Sequence, residues 1–148
     1  MKEEKLKIIT ETYLEFYPLH QKKISSLFTQ NSNDGYSCNR NQVRAIMILG
    51  RNGQMIPTLL GKCLGLQKGS LTTLLDSLES MDLIQREPHP NDRRKTLVSL
   101  TDSGNVYRSL RLSEFGKNIC ELFSKLSEKD LDDFSNSLNV IVSILKKV

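Results

Sequence analysis

Apolar residues recur at spacings of three and four along most of this 148-residue chain. That period belongs to helices that bury one face. The first such stretch covers residues 5–29, where Leu6, Ile9, Tyr13, Phe16, His20, Ile24 and Leu27 align. Pro18 lies inside it and predicts a kink or local break, because proline has no amide hydrogen and crowds the preceding turn. Residues 30–38 are polar and turn-rich. Three short helices are predicted next. The first covers about 39–51, with Val43, Ile46, Met47 and Leu49 apolar and Asn52-Gly53 as its stop. The second covers about 57–64, with Pro57 suited to a first turn and Gly65 at its end. The third covers about 68–81, where Leu71, Leu74, Leu75 and Leu78 repeat the spacing.

Residues 83–87 and 96–101 read as the strands of a hairpin. Two prolines and Asn-Asp make 88–95 its loop, basic at the far end. Thr101-Asp102 can cap a helix running to about 124, with Leu112, Phe115, Ile119, Leu122 and Leu126 on one face. Ser127 with Asp130 approaches a capping box for a last helix striped by Leu131, Phe134, Leu138, Ile141 and Leu145. The middle block can close a small core. The stripes of the first and last helices lie outside it and need each other or another chain to cover them. A helical dimer interface is the economical solution.

Charge sharpens this picture. The net charge is only +4, but residues 35–75 hold no acid and carry Arg40, Arg44, Arg51, Lys62 and Lys68. Such a stretch suits a polyanionic partner, or is a fluctuation on a solvated face. Composition mostly excludes. With 38% hydrophobic and 26% charged residues the chain should fold and stay soluble. No apolar run approaches the roughly 18 residues of a membrane span. The opening Met1-Lys2-Glu3-Glu4-Lys5 has no signal-like apolar block. A cytoplasmic location without a membrane partner is expected. Cys38, Cys63 and Cys120 are odd in number, widely spaced and lack a C-x-x-C pair, which argues against disulfides or a zinc finger. His20 and His89 lie far apart, so no metal site is expected, and nothing calls for a cofactor. Without a nucleophile elbow, phosphate-binding glycine loop or paired carboxylates in a recognisable setting, an enzyme is not expected. The thiols read as small packing residues, with Cys38 expected to be the most exposed. A thiol-based redox switch stays open as an alternative.

The two short helices 57–64 and 68–81, joined by Gly65-Leu66-Gln67, form a helix-turn-helix candidate. In such units the second helix places its N-terminal residues at base edges in the major groove. Here these are Lys68, Gly69, Ser70, Thr72 and Thr73, whose hydroxyls can bond bases or phosphates. The hairpin concentrates Arg93, Arg94 and Lys95, which suit the negative potential of an adjacent minor groove. Asp92 can brace Arg94 or Arg86 through a charge-assisted pair, or form a surface pair worth ~0–1 kcal/mol. Tyr13, Phe16, Tyr17 and His20 cluster on the first helix, either as dimer core or as the lining of an aromatic-ligand pocket.

Residues 42–107 resemble the winged-helix core of the bacterial MarR (multiple antibiotic resistance regulator) family. The segment from Leu83 to Gly104 carries that family's wing signature, Asp-x-Arg and, after five further residues, Leu-Thr and then Gly, at Asp92, Arg94, Leu100, Thr101 and Gly104. Leu64-Gly65-Leu66, Leu71-Thr72 and Leu78-Glu79 resemble its helix-turn-helix, and the segment from Leu126 to Leu131 its last interhelical turn. The resemblance implies a mainly α, winged helix-turn-helix fold with a two-stranded β-wing. It implies an obligate homodimer built from an N-terminal part (1–38) and C-terminal helices (102–148) around a DNA-binding core (39–101). It further implies double-stranded DNA as partner, a pseudo-palindromic operator, and repression relieved by a small aromatic effector or by cysteine oxidation. Lys68, Ser70, Thr72 and Thr73 are then expected in the major groove, with Arg94, Arg93 and Lys95 at the minor groove and phosphates. Arg86 and Asp92 would support the wing, and Tyr13, Phe16, Tyr17 and His20 are the candidate effector pocket. The chain departs from the pattern at Thr73 and Ser77, where members often carry a base, and at Asp82, where the turn usually has glycine. A winged helix that binds a partner protein instead of DNA is the other reading left open.

Overall fold

The computed structural model describes residues 1–28 and 35–148. Most of the loop expected over 30–38 therefore lies outside the described residues. The first helix, α1 (Lys2–Lys23), runs through Pro18, so the predicted break does not occur. Proline removes one amide donor, but the turns on either side each propagate on their own bonds. The helix ends instead at Ile24, whose N–H still reaches the His20 carbonyl at 3.0 Å, and a 3-10 turn covers Ser25–Phe28. The periodic stretch expected to be one helix is thus two pieces.

The next helix, α2 (Arg40–Asn52), starts at a full capping box. The Asn39 side chain accepts from the N–H groups of Asn41 and Gln42, both at 3.0 Å. The Gln42 side chain accepts from the Asn39 N–H at 2.7 Å. Two otherwise orphaned donors at the helix start are satisfied reciprocally. α3 (Pro57–Leu64) ends where Gly65 turns left-handed at φ +68°, letting the Leu66 N–H return to the Gly61 carbonyl at 3.0 Å. α4 (Lys68–Ser80) then buries Leu71, Leu74, Leu75 and Leu78, the face its spacing assigns to the core. Asp82 takes φ +56°, so this aspartate does adopt the left-handed turn usually given to glycine.

The strands β1 (Ile84–His89) and β2 (Asp92–Leu100) form an antiparallel hairpin paired from Ile84↔Leu100 to Pro88↔Thr96. The expected loop over 88–95 is mostly strand, with only Pro90 and Asn91 between the two. A two-stranded ribbon consists of edges, where proline is tolerated. Met55 adds an isolated bridge to Val98 through paired bonds of 3.0 and 2.8 Å. Ile46, Leu49, Leu60, Leu78, Leu83, Ile84 and Val98 are fully buried and join α2, α3, α4 and the hairpin in one core.

α5 (Asp102–Phe123) and α6 (Glu128–Leu145) complete the chain. Residues Met1–Phe115 and Gly116–Val148 form two compact units. In the first, Arg111 is 5% exposed; its guanidinium donates to the Phe28 carbonyl and pairs with Glu114 at 3.1 Å. The Phe28 ring stacks on Phe115 at 3.7 Å. In the second, Ser127 caps α6 by accepting from the Asp130 N–H at 3.1 Å, and Phe123 packs on Phe134. Among the described residues no helix is long and apolar enough to cross a membrane.

Candidate nucleic-acid interface

Burying one leucine face fixes what α4 shows to solvent. Lys68, Gly69, Ser70, Thr72, Thr73 and Asp76 are all exposed. Thr72 and Thr73 donate their hydroxyls to the carbonyls of Lys68 and Gly69, at 3.0 and 3.2 Å. Each hydroxyl oxygen keeps acceptor capacity and its donor can rotate to an external partner. Ser77, one of the positions where a base was expected, points elsewhere. It is half-buried and its hydroxyl accepts from the Gln42 amide at 2.8 Å. A cation here would displace that bond, so the position belongs to the α2–α4 contact and not to the exposed face.

The wing brings its cations to the same side. Between the pairs His89↔Asp92 and Pro88↔Thr96 the register jumps, so Arg93, Arg94 and Lys95 have no partner on β1. They sit on a bulge within β2, and not on a loop as expected. Bulges re-aim side chains out of the ladder, and the Arg94 side chain is 93% exposed. Asp92 organises the bulge. Its Oδ1 accepts from the Arg94 N–H at 3.1 Å and lies 3.5 Å from Arg94 Nε, and its Oδ2 lies 3.5 Å from Lys95 Nζ. Arg86 does not join this cluster. Its guanidinium reaches back to α4 and pairs with Asp76 at 2.7 Å and Glu79 at 3.1 Å. Of the two arginines Asp92 could have braced, it holds Arg94.

A groove of about 870 Å³ runs between α3, α4 and the hairpin. Lys62, Lys68, Thr72, Arg86, Arg94, Lys95 and Thr96 line it together, although they span more than thirty positions of sequence. Arg93, Ser70 and Thr73 are exposed but lie outside that lining. Of the remaining cations in the acid-free stretch, Arg40 bonds Gln21 and Ser25, both at 2.8 Å, and Arg44 bonds Asn41. These two are partly spent on the protein itself.

The residues of the wing signature acquire physical reasons. Thr101 donates to the Asp82 carbonyl at 2.6 Å and accepts from the Gly104 N–H at 2.9 Å, capping α5 onto the turn after α4. A Cβ on Gly104 would overlap the Leu83 carbonyl, so α5 can approach this closely only with glycine.

The aromatic cluster lies along one helix. Tyr13, Phe16, Tyr17 and His20 form a ladder of ring contacts along α1, ending in a stacked Phe16–His20 pair at 5.5 Å. Tyr17 lines a cavity. That cavity, about 650 Å³, lies between α1, the 3-10 turn and α2, and is completed by Gln21, Phe28, Arg40, Met47 and others. Spacing along one helix could not show which residues a second helix would face. The cysteine expectation is also corrected. Cys38 is half-buried against the core, whereas Cys63 and Cys120 are exposed. No cluster of three or more potential metal ligands occurs among the described residues. Gln42, Asp76 and Glu79 were not singled out from the sequence. Gln42 had a signal, since a glutamine three residues after Asn39 is a capping-box pattern.

Comparison with known proteins bears on this site. The model of the MarR family matches residues 38–96. The chain is 38% identical to the HTH-type transcriptional regulator ML2140 of Mycobacterium leprae over 104 residues, 70% of this chain and 73% of that protein. It is 38% identical over 85 residues to the HTH-type regulator YcgE of Bacillus subtilis, covering 57% of this chain but only 48%, about half, of that relative. Among solved structures, a cysteine-to-serine variant of MarR from E. coli superposes with a TM-score of 0.74 at 25% identity, covering 86% of this chain and 93% of the other. The same variant complexed with operator DNA gives 0.66 at 23% identity, covering 88% and 93%.

Proposed function

The chain belongs to the MarR family of winged helix-turn-helix regulators and is not an enzyme; on that premise we propose that it regulates transcription by binding operator DNA as a homodimer. The observation that carries this reading is the groove in which Lys62 and Lys68 meet Arg94 and Lys95 beside the hydroxyl-bearing face of α4. Hydroxyls and the N-terminus of α4 suit the major groove, and an exposed arginine on a bulged ribbon suits the minor groove alongside it. A cysteine-to-serine variant of MarR from E. coli, similar in fold, is solved complexed with operator DNA, which supports DNA as the partner.

The homodimer rests on the end helices. α1 and α6 bury no residue within one chain, yet expose Leu6, Ile9, Leu138 and Ile141 among many apolar side chains. A second copy covers such stripes and sets two recognition helices about one DNA turn apart, on a roughly palindromic site. Residues 1–38 and 102–148 then serve dimerisation, and 39–101 serve DNA. The cavity beside Tyr17 has a volume suited to a small aromatic effector. Its wall includes α2, which Gln42 connects to α4. Occupancy there is read as releasing a repressor from DNA.

Fluorescence anisotropy with duplex fragments selected by the pure protein tests the reading. Binding should weaken steeply with salt, since phosphate contacts release counterions. Arg94→Ala should lose about 1–3 kcal/mol of affinity without a change in melting temperature. Equal affinity of Arg94→Ala removes that residue from the interface. Salt-independent binding, or none, favours a protein-interaction module.

A further inference from the structure

The face that α4 would turn to DNA carries two acids. Steps of three and four lead from Lys68 and Gly69 through Thr72 and Thr73 to Asp76, and from Asp76 to Glu79. The leucines fill the opposite side. The Asp76 side chain is 58% exposed and that of Glu79 is 42% exposed. Unopposed, both carboxylates would stand among phosphates, and like charges at that range repel. Arg86 lies across both, with Nη2 2.7 Å from Asp76 Oδ1 and Nη1 3.1 Å from Glu79 Oε2. Its own side chain is 28% exposed, so the guanidinium is committed to the helix, unlike that of Arg94.

We propose that Arg86 is a positioning residue that masks the charge of Asp76 and Glu79, allowing the recognition helix to approach the phosphate backbone. This inference rests on the DNA-binding reading and deepens it. Arg86 also lines the groove beside Lys68, Arg94 and Lys95, and it acts there through its ion pairs with the two carboxylates. The wing therefore serves the helix twice: its bulge offers cations outward, and its first strand cancels charge inward.

The test uses the full chain in anisotropy titrations against a mixed-sequence duplex at several salt concentrations, with thermal melts of each variant. Arg86→Gln should weaken binding about tenfold at low salt, because two carboxylates become unopposed. Adding Asp76→Asn and Glu79→Gln to Arg86→Gln should restore affinity to within about threefold of wild type and return the salt slope to its wild-type value. Should Arg86→Gln fail to fold, the Asp76→Asn/Glu79→Gln variant with Arg86 retained still decides. It should bind as tightly as wild type or tighter, and weaker binding overturns the proposal. A triple variant as weak as Arg86→Gln, with a salt slope lower by about one, also overturns it and makes Arg86 a direct phosphate contact. A wild-type chain that binds no duplex at all removes the DNA-binding reading and this inference together. Wild-type binding with an unrescued triple variant removes this inference alone.

Discussion

Ile46 in α2 has no solvent exposure, whereas Ile9 in α1 is 62% exposed and Ile141 in α6 is 45% exposed. The three belong to apolar series of the same three-four spacing, and only the first finds its partners within the chain. The middle of the molecule, from α2 to β2, closes around one core because five elements of short contour fold back on one another, with Tyr107 of α5 buried among them. The end helices keep their stripes open in a single chain. Periodicity tells a helix which face to bury but not what against. The difference separates a reading head, closed by its own elements and the start of α5, from arms whose partner, in the reading proposed above, is a second copy.

The largest effect that would sharpen this contrast is expected from Ile141→Glu. A carboxylate buried unpaired in an interface is strongly unfavourable. Sedimentation equilibrium should show the mass falling from twice 16.9 kDa to the 16.9 kDa of one chain. An unchanged dimer mass would mean that the α6 stripe is not what pairs the subunits. Next in size, Ile46→Ala should cost ~2–5 kcal/mol in urea denaturation, the usual range for emptying a closed core. A loss below ~1 kcal/mol would show that the middle block is looser than its burial implies. Gln42→Ala should cost ~1–3 kcal/mol, because the Asn39 N–H and the Ser77 hydroxyl both lose their partner at a buried site. Ser127→Ala should cost only about 1 kcal/mol, the typical value of an exposed N-cap. Finding the last two in reverse order would break the distinction between buried and peripheral polar contacts.

Much of the fold was legible in residues read in order. Pro57, Gly65 and the leucines of α4 mark their helices correctly because caps and amphipathic faces are set by neighbours within a turn or two. Asp82 drew notice only through the family resemblance, as a departure from the usual glycine, and it takes the left-handed turn all the same. Of the kink or break expected at Pro18, the break does not occur, since α1 runs through it. Residues 88–95 were read as loop because the pairing of His89 with Asp92, which carries both strands to the tip, depends on the strand opposite. Of the four aromatic residues grouped on α1, sequence spacing could not tell that Tyr17 is the one lining the cavity beside α2. At the candidate site, every wing cation was visible in sequence, but not the bulge that frees them or the diversion of Arg86 to Asp76 and Glu79.

The order of residues alone determined the helices, their caps, the glycines that permit close turns, and the wing signature through which the family can be recognised. These follow from interactions within a few positions, where chain connectivity already holds the partners near one another. Only the tertiary structure decided which charges meet, which aromatic faces a cavity and how Lys62 and Lys68 come to share a groove with Arg94 and Lys95. Those outcomes depend on distances of a few ångströms between residues far apart in the chain, and such distances exist only once the core has packed.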